Sequence, residues 1–164
     1  SDLLRYSIQF HQETLVPLEQ EIAIVRDYLA LESIHYEERL RYHFDINAHT
    51  LQLRVPPMSV QLLVENAIKH GIANLPNGGS ITIQSSLLNG TLRVSVRNTG
   101  QLHQPSVRNS IVDTGIGLRN SQERLDLLFP SHCSLTVQNL NEETVEAAFT
   151  IAQNPEHSHE SSHR

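Results

Sequence analysis

Hydrophobic residues recur at helical spacing in two segments of the chain. The first segment predicts a helix from Pro17 to Glu37, because proline is tolerated in the first turn of a helix. Its apolar positions are Leu18, Ile22, Val25 and Leu29. In the second segment, apolar residues cluster on one arc of a helix that ends at Gly71. The members of this arc are Val60, Leu63, Val64, Ala67 and Ile68.

Alternating apolar and polar residues predict strands between and after these helices. Residues 42–46 form one such run, and Val55-Pro56-Pro57 then breaks the chain before the second helix. Residues 81–87 and 92–96 alternate on either side of Asn89-Gly90. This dipeptide is favoured in two-residue type I′ turns, so the two runs are predicted to form a hairpin.

The remaining elements define the fold class. A loop over residues 99–117 precedes a helix over 117–129, and residues 135–151 are predicted to form a closing hairpin. Strands that arrive in antiparallel pairs, with helices between them, indicate an α/β (α+β) two-layer sandwich. Its sheet is predicted to be mixed and mainly antiparallel, with helices covering one face.

The domain boundaries follow from the same patterns. Residues 1–15 are interpreted as the C-terminal remnant of an earlier helix, and residues 16–152 as a single globular domain. Residues 153–164 are polar and are expected to form a disordered tail. Because the chain begins in a helical pattern without an initiator methionine, its true N-terminus is expected to be missing.

Composition narrows the function classes. With 164 residues, 38% of them hydrophobic, the chain can build one core. Its net charge of −6 argues against direct binding to nucleic acid. Cys133 is the only cysteine, which excludes an internal disulfide bond, and no apolar run is long enough to span a bilayer. The segment is therefore expected to be cytoplasmic.

The polar arc of the second helix carries the first candidate chemistry. Glu65 could act as a base, and the amide oxygen of Asn66 suits a hard cation. Lys69 and His70 could approach phosphate oxygens, so the four residues together suit a nucleotide. The alternative is an amphipathic helix whose polar face meets solvent and whose Gly71 is an ordinary C-terminal cap.

Two other segments add polar or glycine-rich features. Counting by twos along the second strand of the first hairpin puts Asn98 on the apolar side, where it needs a local backbone partner or a ligand. A turn-forming asparagine at a strand end is the alternative. The run Thr114-Gly115-Ile116-Gly117-Leu118 opens a predicted helix and could expose backbone N–H groups to an anion, although glycines also precede helices for steric reasons.

At these residues the chain resembles the ATP-binding catalytic domain of bacterial sensor histidine kinases, which has a Bergerat (GHKL-type) fold. The nearest likeness is to the autolysin-sensor (LytS-like) subgroup. The matching motifs are Leu3-Leu4-Arg5-Tyr6, Val16-Pro17-Leu18-Glu19-Gln20-Glu21, Tyr28-Leu29, Val55-Pro56-Pro57-Met58, Gln61-Leu62-Leu63-Val64-Glu65-Asn66-Ala67-Ile68-Lys69-His70-Gly71, Gly115-Ile116-Gly117-Leu118-Arg119-Asn120 and Glu123-Arg124-Leu125.

The resemblance implies ATP and Mg²⁺ as cofactors and assigns roles to individual residues. Glu65 is implied to assist phosphoryl transfer as a base or polarising group, and Asn66 to bind Mg²⁺. Lys69 and His70 would contact phosphate or ribose. The other implied nucleotide-binding residues are Asn98, Gly100, Gly115, Ile116, Gly117 and Leu118, with Gly115 and Gly117 as hinges of a lid over the triphosphate.

The chain departs from the family pattern at three points. Asn98 stands where an acidic residue usually binds the adenine amino group, and its uncharged amide makes a weaker hydrogen bond. Leu102 replaces the second glycine of that motif. The family's Asn-Pro-His-Phe-type phosphoacceptor segment is absent, so this fragment is not expected to autophosphorylate.

Partners are likewise implied by the resemblance. They are the phosphoacceptor helix of the full-length protein, a second copy in a homodimer, and a response regulator, which in this subgroup often carries a LytTR-type DNA-binding domain. The chain would be the cytoplasmic domain of an inner-membrane sensor. Two alternatives stay open: a degenerate scaffolding or dimerisation domain that has lost nucleotide binding, and an ATPase or anti-sigma-type kinase of the same superfamily.

Overall fold

The computed structural model describes residues 15–102 and 133–153. Three predictions lie outside the described residues: the helical remnant at the N-terminus, the helix over 117–129 with its glycine-rich start, and the polar tail. The fold is therefore described for the predicted globular domain without the segment 103–132.

Two α-helices form where the apolar periodicity predicts them. Helix α1 spans Leu18–Tyr36 and helix α2 spans Ser59–His70. Every apolar position predicted for the two helices is buried, which confirms both stripes. Three single-turn 3₁₀ helices, which the sequence pattern did not predict, connect the larger elements: Glu37–Arg39, Ala48–Thr50 and Ile72–Asn74.

In residues 15–102 and 133–153, seven strands form two sheets. The strands are β1 (Val16–Pro17), β2 (Leu40–Ile46), β3 (Arg54–Val55), β4 (Gly79–Leu88), β5 (Thr91–Thr99), β6 (Cys133–Asn139) and β7 (Thr144–Ala152). The larger sheet has the order β2-β4-β5-β7-β6, and only its β2–β4 pair is parallel. This confirms the mixed, mainly antiparallel sheet. The short antiparallel pair β1–β3 was not predicted.

The β4–β5 connection confirms the predicted hairpin turn. Asn89 and Gly90 have φ angles of 52° and 75°, the positive values that a type I′ turn requires at both central positions. Leu88 pairs with Thr91 on either side of the turn. The register set here continues to the far end of β5, where Ile81 lies opposite Asn98.

One hydrophobic cluster joins the helices to one face of the larger sheet. Alternate residues of the central strands enter it: Ile81, Ile83, Leu92, Val94, Val96, Ala147, Phe149 and Ile151. This arrangement confirms the two-layer architecture, with helices on one face of the sheet. In the described ranges, no helix combines the length and the hydropathy needed to cross a bilayer.

The opposite face of the sheet is polar and carries a buried charge. Glu146 of β7 is 2% exposed and accepts hydrogen bonds from Arg93 and Arg97 of β5, the latter at 2.7 Å. Burial raises the pKa of the Glu146 carboxyl, but the hydrogen bonds donated by Arg97 and Arg93 lower it more, so the net pKa lies below its usual value.

Candidate functional site

The polar arc of α2 is divided between the protein interior and solvent. Glu65, Asn66 and His70 are half-buried, whereas Lys69 is exposed. The half-buried positions flank the apolar stripe, as expected at the margins of an amphipathic helix. Part of the arc therefore faces other elements of the protein.

The C-terminus of α2 differs from an ordinary glycine cap. Such a cap has a left-handed backbone, whereas Gly71 has a φ of −106°. A side chain at this position would clash, because an added Cβ atom would lie 2.3 Å from Nδ2 of Asn98. Gly71 is the C-cap residue of α2, and its N–H donates to the Ala67 carbonyl at 3.0 Å, but close packing against Asn98, and not a left-handed backbone, explains the glycine.

Asn98 points inward from β5, as the alternation predicts, and is 7% exposed. Its Nδ2 donates a hydrogen bond to the carbonyl oxygen of Thr99 at 3.0 Å. This bond is the local backbone partner that the sequence analysis required. Among the described residues, none donates a hydrogen bond to the Oδ1 atom of Asn98.

A cleft between α2, the end of β5 and the β6–β7 hairpin brings three of the candidate residues together. Asn66, His70 and Asn98 contribute its polar groups. Its apolar walls and its rim are formed by Leu63, Ala67, Gln101, Leu102, Val137, Val145 and Ala147. A mostly apolar cleft with a few convergent polar groups is typical of a small-molecule site.

Among the described residues, the candidates Glu65, Lys69 and Gly100 do not line this cleft. Glu65 accepts a hydrogen bond from Nε2 of Gln61 at 3.0 Å, one turn earlier on α2. Gly100 has a φ of 139°, which favours glycine, and a Cβ atom added there would lie 3.5 Å from Nδ2 of Asn98. The candidates Gly115, Ile116, Gly117 and Leu118 lie outside the described residues.

The hairpin β6–β7 holds the chain that follows Asn98. The backbone N–H of Gly100 donates to the carbonyl oxygen of Glu143 at 2.8 Å. The backbone N–H of Leu102 donates to Oδ1 of Asn139 at 2.9 Å, and the amide of Asn139 donates back to the Leu102 carbonyl at 3.3 Å. The backbone of Leu102, which lines the cleft, is thus held by the side chain of Asn139, 37 positions later in the chain.

Sequence reasoning missed several cleft residues. Val145 and Ala147 alternate along β7 and lie opposite Asn98 and Val96 of β5. The alternation predicted a strand here, but the cross-strand register was needed to place these two residues beside Asn98. Gln101 gives no sequence signal of this kind.

Helix α1 approaches the Glu65 side of α2. Tyr28 of α1 is half-buried, and its pKa is raised to about 12 by burial and then by the negative charges of Glu32 and Glu65. The carboxylate of Glu65, which does not line the cleft, therefore lies close enough to α1 to act electrostatically on the Tyr28 phenol.

The described residues offer no preformed metal cage. Across 15–102 and 133–153, no group of three or more His, Cys, Asp or Glu side chains is arranged to hold a metal ion. Asn66 is the cleft residue with an oxygen donor on the polar arc of α2. This agrees with the coordination preference of Mg²⁺, which takes few protein ligands when nucleotide phosphates supply the remaining ligands.

The sheet, the two helices and the cleft define the fold of a histidine kinase catalytic domain. The solved catalytic domain of the histidine kinase ThkA matches with a TM-score of 0.62 at 19% identity, covering 85% of this chain and 96% of that one. ThkA in complex with the response regulator TrrA gives 0.60 at 21% identity, covering 88% and 42%. Full-length ShkA in complex with AMPPNP gives 0.59 at 19% identity, covering 85% and 31%.

Sequence comparisons match the chain to histidine kinases. A family model described as histidine kinase matches residues 1–40. The sensor histidine kinase YesM of Bacillus subtilis is 30% identical over 91% of this chain, and the sensor protein LytS of Staphylococcus saprophyticus is 32% identical over 85% of it. Over most of its length the chain is therefore similar to sensor histidine kinases. It spans about a quarter of the length of these relatives, 26% and 25% respectively.

Proposed function

We propose that residues 16–152 form an ATP-binding catalytic domain that binds Mg²⁺ and ATP in the cleft. The observation that carries this proposal is the convergence of Asn66, His70 and Asn98 between apolar walls. The ShkA structure, which contains AMPPNP, has the same overall fold and supports a nucleotide as the ligand.

The adenine end of the nucleotide would lie against Asn98. Because Nδ2 of Asn98 is bound to the Thr99 carbonyl, the Oδ1 atom is the acceptor left for the adenine amino group. Val145 and Ala147 supply apolar surface next to this amide, which suits the faces of a purine. A neutral amide gives this contact less strength than a carboxylate would.

The phosphate end would lie toward α2. The side-chain oxygen of Asn66 is proposed as a Mg²⁺ ligand, with phosphate oxygens completing the coordination. His70 lines the cleft, and Lys69 lies exposed on the same end of the helix, where both could approach phosphate or ribose. Gly100, Gly115, Ile116, Gly117 and Leu118 are proposed to complete the nucleotide site through backbone contacts and the lid.

The reaction would be transfer of the γ-phosphoryl group to a histidine outside this chain. The bond between the γ-phosphorus and the bridging oxygen of ADP breaks, a bond from the phosphorus to an imidazole nitrogen forms, and the imidazole proton must leave. Glu65 is proposed as the base or polarising group. Its position outside the cleft suits contact with the acceptor imidazole better than contact with the nucleotide.

The proposal extends to partners of the full-length protein. The phosphoacceptor helix, a second copy of the chain and a response regulator are the expected partners, and ThkA in its complex with TrrA is a precedent for the last. A LytTR-type DNA-binding domain in that regulator is part of the proposal. So is the location of this domain on the cytoplasmic side of a membrane sensor, as suggested by its sensor-protein relatives.

A scaffolding domain is the second candidate function. Leu102 lines the cleft at a position where the family pattern has glycine, and Asn98 lacks the usual charge. Both changes would weaken nucleotide binding. A domain that keeps the fold for dimerisation alone would bind no ATP analogue in the presence of Mg²⁺.

Substitution of Asn66 tests the proposal. Asn66 lies off the buried stripe, so Asn66→Ala should leave the thermal unfolding midpoint nearly unchanged. We expect it to weaken Mg²⁺-dependent binding of a non-hydrolysable ATP analogue by about tenfold or more in calorimetric titrations, since a metal ligand is lost. Gln52→Ala, at an exposed position away from the cleft, is the control. Unchanged Mg²⁺-dependent affinity in folded Asn66→Ala would remove Asn66 from the site.

A further inference from the structure

The N-terminus of α2 receives a cap from another helix. Its own N-cap residue, Met58, has a φ of 70° and makes no side-chain capping hydrogen bond. The N–H of Ser59 donates to the Pro56 carbonyl at 3.2 Å. The next N–H, that of Val60, donates at 3.2 Å to Oε1 of Glu21, which lies on α1.

Glu21 is an unusual residue in the core. It is 1% exposed, whereas Glu19, two residues earlier on α1, is exposed and accepts a hydrogen bond from Gln52 at 2.9 Å. Burial of a carboxylate is costly unless partners offset it. The N–H of Val60 and the positive end of the α2 dipole both offset the cost of burying the Glu21 carboxyl group.

The surroundings strengthen this contact. Val60 is fully buried, and the neighbouring Ser59 is 4% exposed, with a buried Oγ atom that has no hydrogen-bond partner. Water is therefore largely excluded from the junction of the two helices. In such a low-dielectric environment a hydrogen bond is stronger than in water.

The hydrogen bond between Glu21 and Val60 also restricts the position of α2 in a way that its apolar stripe does not. Hydrophobic packing is non-directional, so the buried stripe alone allows α2 small shifts along its axis and small rotations about it. A hydrogen bond between Glu21 and Val60 favours one position of the helix. Asn66 and His70 lie further along the same rigid element, so the same bond constrains where they stand in the cleft.

We propose that Glu21 is a positioning residue for the nucleotide site. Through its hydrogen bond to the N-terminus of α2, it sets the position of Asn66 and His70 without touching the ligand. This inference rests on the proposed function, because its main measurement is nucleotide affinity. It assigns a functional consequence to the burial of a carboxylate that the phosphoryl transfer does not use.

The test compares three variants of the 164-residue chain. Glu21→Met keeps the length of the side chain without an acceptor, Glu21→Gln keeps an acceptor without the charge, and Glu19→Gln is the exposed control. Affinity for Mg²⁺ with AMPPNP is measured by calorimetry, well below each unfolding midpoint. In parallel, ¹H–¹⁵N spectra of the nucleotide-free proteins follow the Val60 backbone amide and the Asn66 side-chain amide.

A positioning role predicts a specific pattern. Glu21→Met should weaken binding by about fivefold or more and shift the Asn66 side-chain amide, and Glu21→Gln should recover most of the affinity. Glu19→Gln should match the wild type. A purely structural role would lower the unfolding midpoint of Glu21→Met and leave affinity and the Asn66 resonance unchanged, which would overturn the proposal.

Two further outcomes are separable. If Glu21→Met does not fold, the Glu21→Gln spectrum decides. The uncharged side chain of Glu21→Gln should weaken the hydrogen bond to Val60 without abolishing it, so a Val60 shift accompanied by a smaller shift of the Asn66 amide and a small loss of affinity supports positioning, and a Val60 shift with Asn66 and the affinity both unchanged contradicts it. If the wild type binds no nucleotide, the proposed function fails, and the Asn66 resonance in the variants still reports whether Glu21 positions α2.

Discussion

The residue pair Asn98–Gly71 shows how one inward amide shapes its surroundings. Asn98 occupies a core-facing position of β5, where a polar side chain must find partners. Its Nδ2 reaches the Thr99 carbonyl only because α2 ends in a residue without a Cβ atom. Gly71 and Asn98 therefore depend on each other, although 27 positions of sequence separate them.

Substitution of Gly71 tests this dependence. Its φ of −106° is negative, so the expected effect of Gly71→Ala is the steric clash of the added Cβ atom. The new Cβ would meet Nδ2 of Asn98 at 2.3 Å and the Ala67 carbonyl oxygen at 2.5 Å. We expect a loss of about 1–3 kcal/mol in the free energy of unfolding, measured with urea.

The double variant provides the control for this prediction. In an Asn98→Ala background the contact with Nδ2 is gone and only the contact with Ala67 remains. Gly71→Ala should therefore cost less there than in the wild type, because residues in contact are not additive. An equal cost in both backgrounds would show that Asn98 does not exert the constraint.

At the scale of elements, the polar face of the sheet is held by a buried carboxylate between two strands. Glu146 lies opposite Arg97 in the strand register, and the Ser95–Ala148 pair lies between it and Arg93. The side chain of Arg93 must therefore pass over Ser95 and Ala148 to reach the Glu146 carboxylate. Both of these small residues are buried although they face away from the helices. The Arg93–Glu146–Arg97 group therefore covers this part of the outer face.

Acid pH should reduce the contribution of the Arg93–Glu146–Arg97 group to the free energy of unfolding. The pKa of Glu146 is lower in the folded protein than in the unfolded chain, so its contribution to stability is present above the unfolded value, about 4.3. That contribution is lost as the pH falls through the lower folded value. Glu146→Gln should reduce the free energy of unfolding by about 1.5–3 kcal/mol at pH 7, measured with urea.

The pH dependence is the decisive part of this prediction. The difference between wild type and Glu146→Gln should shrink as the pH is lowered below about 4.3, because the wild-type carboxyl then becomes neutral as well. Glu143→Gln, at an exposed position of the adjoining turn, should show no comparable difference. A wild-type advantage that persists unchanged at acid pH would contradict the assigned cause.

The elements that sequence reasoning predicted are those with a local signal. Periodicity identified α1, α2 and both hairpins, and Asn89-Gly90 identified the turn between β4 and β5. The β1–β3 pair and the parallel pairing of β2 with β4 depend on contacts between distant segments, which no local pattern encodes.

The same limit applies to the candidate site. The inward direction of Asn98 and the polar arc with Asn66 and His70 could be predicted, because each follows from the period of one element. The position of Glu65 outside the cleft, beside α1, could not, because it depends on how two helices pack. Nor could the contribution of Gln101, which is determined by the loop after β5.

At the scale of the whole molecule, the chain matches only part of the length of its relatives. It spans 26% of YesM and 25% of LytS, and the histidine kinase family model matches residues 1–40. Phosphoryl transfer requires the acceptor histidine to approach the nucleotide, which is a property of the assembled protein. The proposed nucleotide binding, in contrast, would require only this domain and can be measured on it alone.

Calorimetric titration of the chain with AMPPNP, with and without Mg²⁺, tests the central claim most directly when wild type and Asn98→Asp are compared. The account predicts Mg²⁺-dependent binding by the wild type, tightened about threefold to tenfold in Asn98→Asp because a carboxylate is the stronger acceptor. An absence of binding by both proteins would contradict the nucleotide site and favour the scaffolding function.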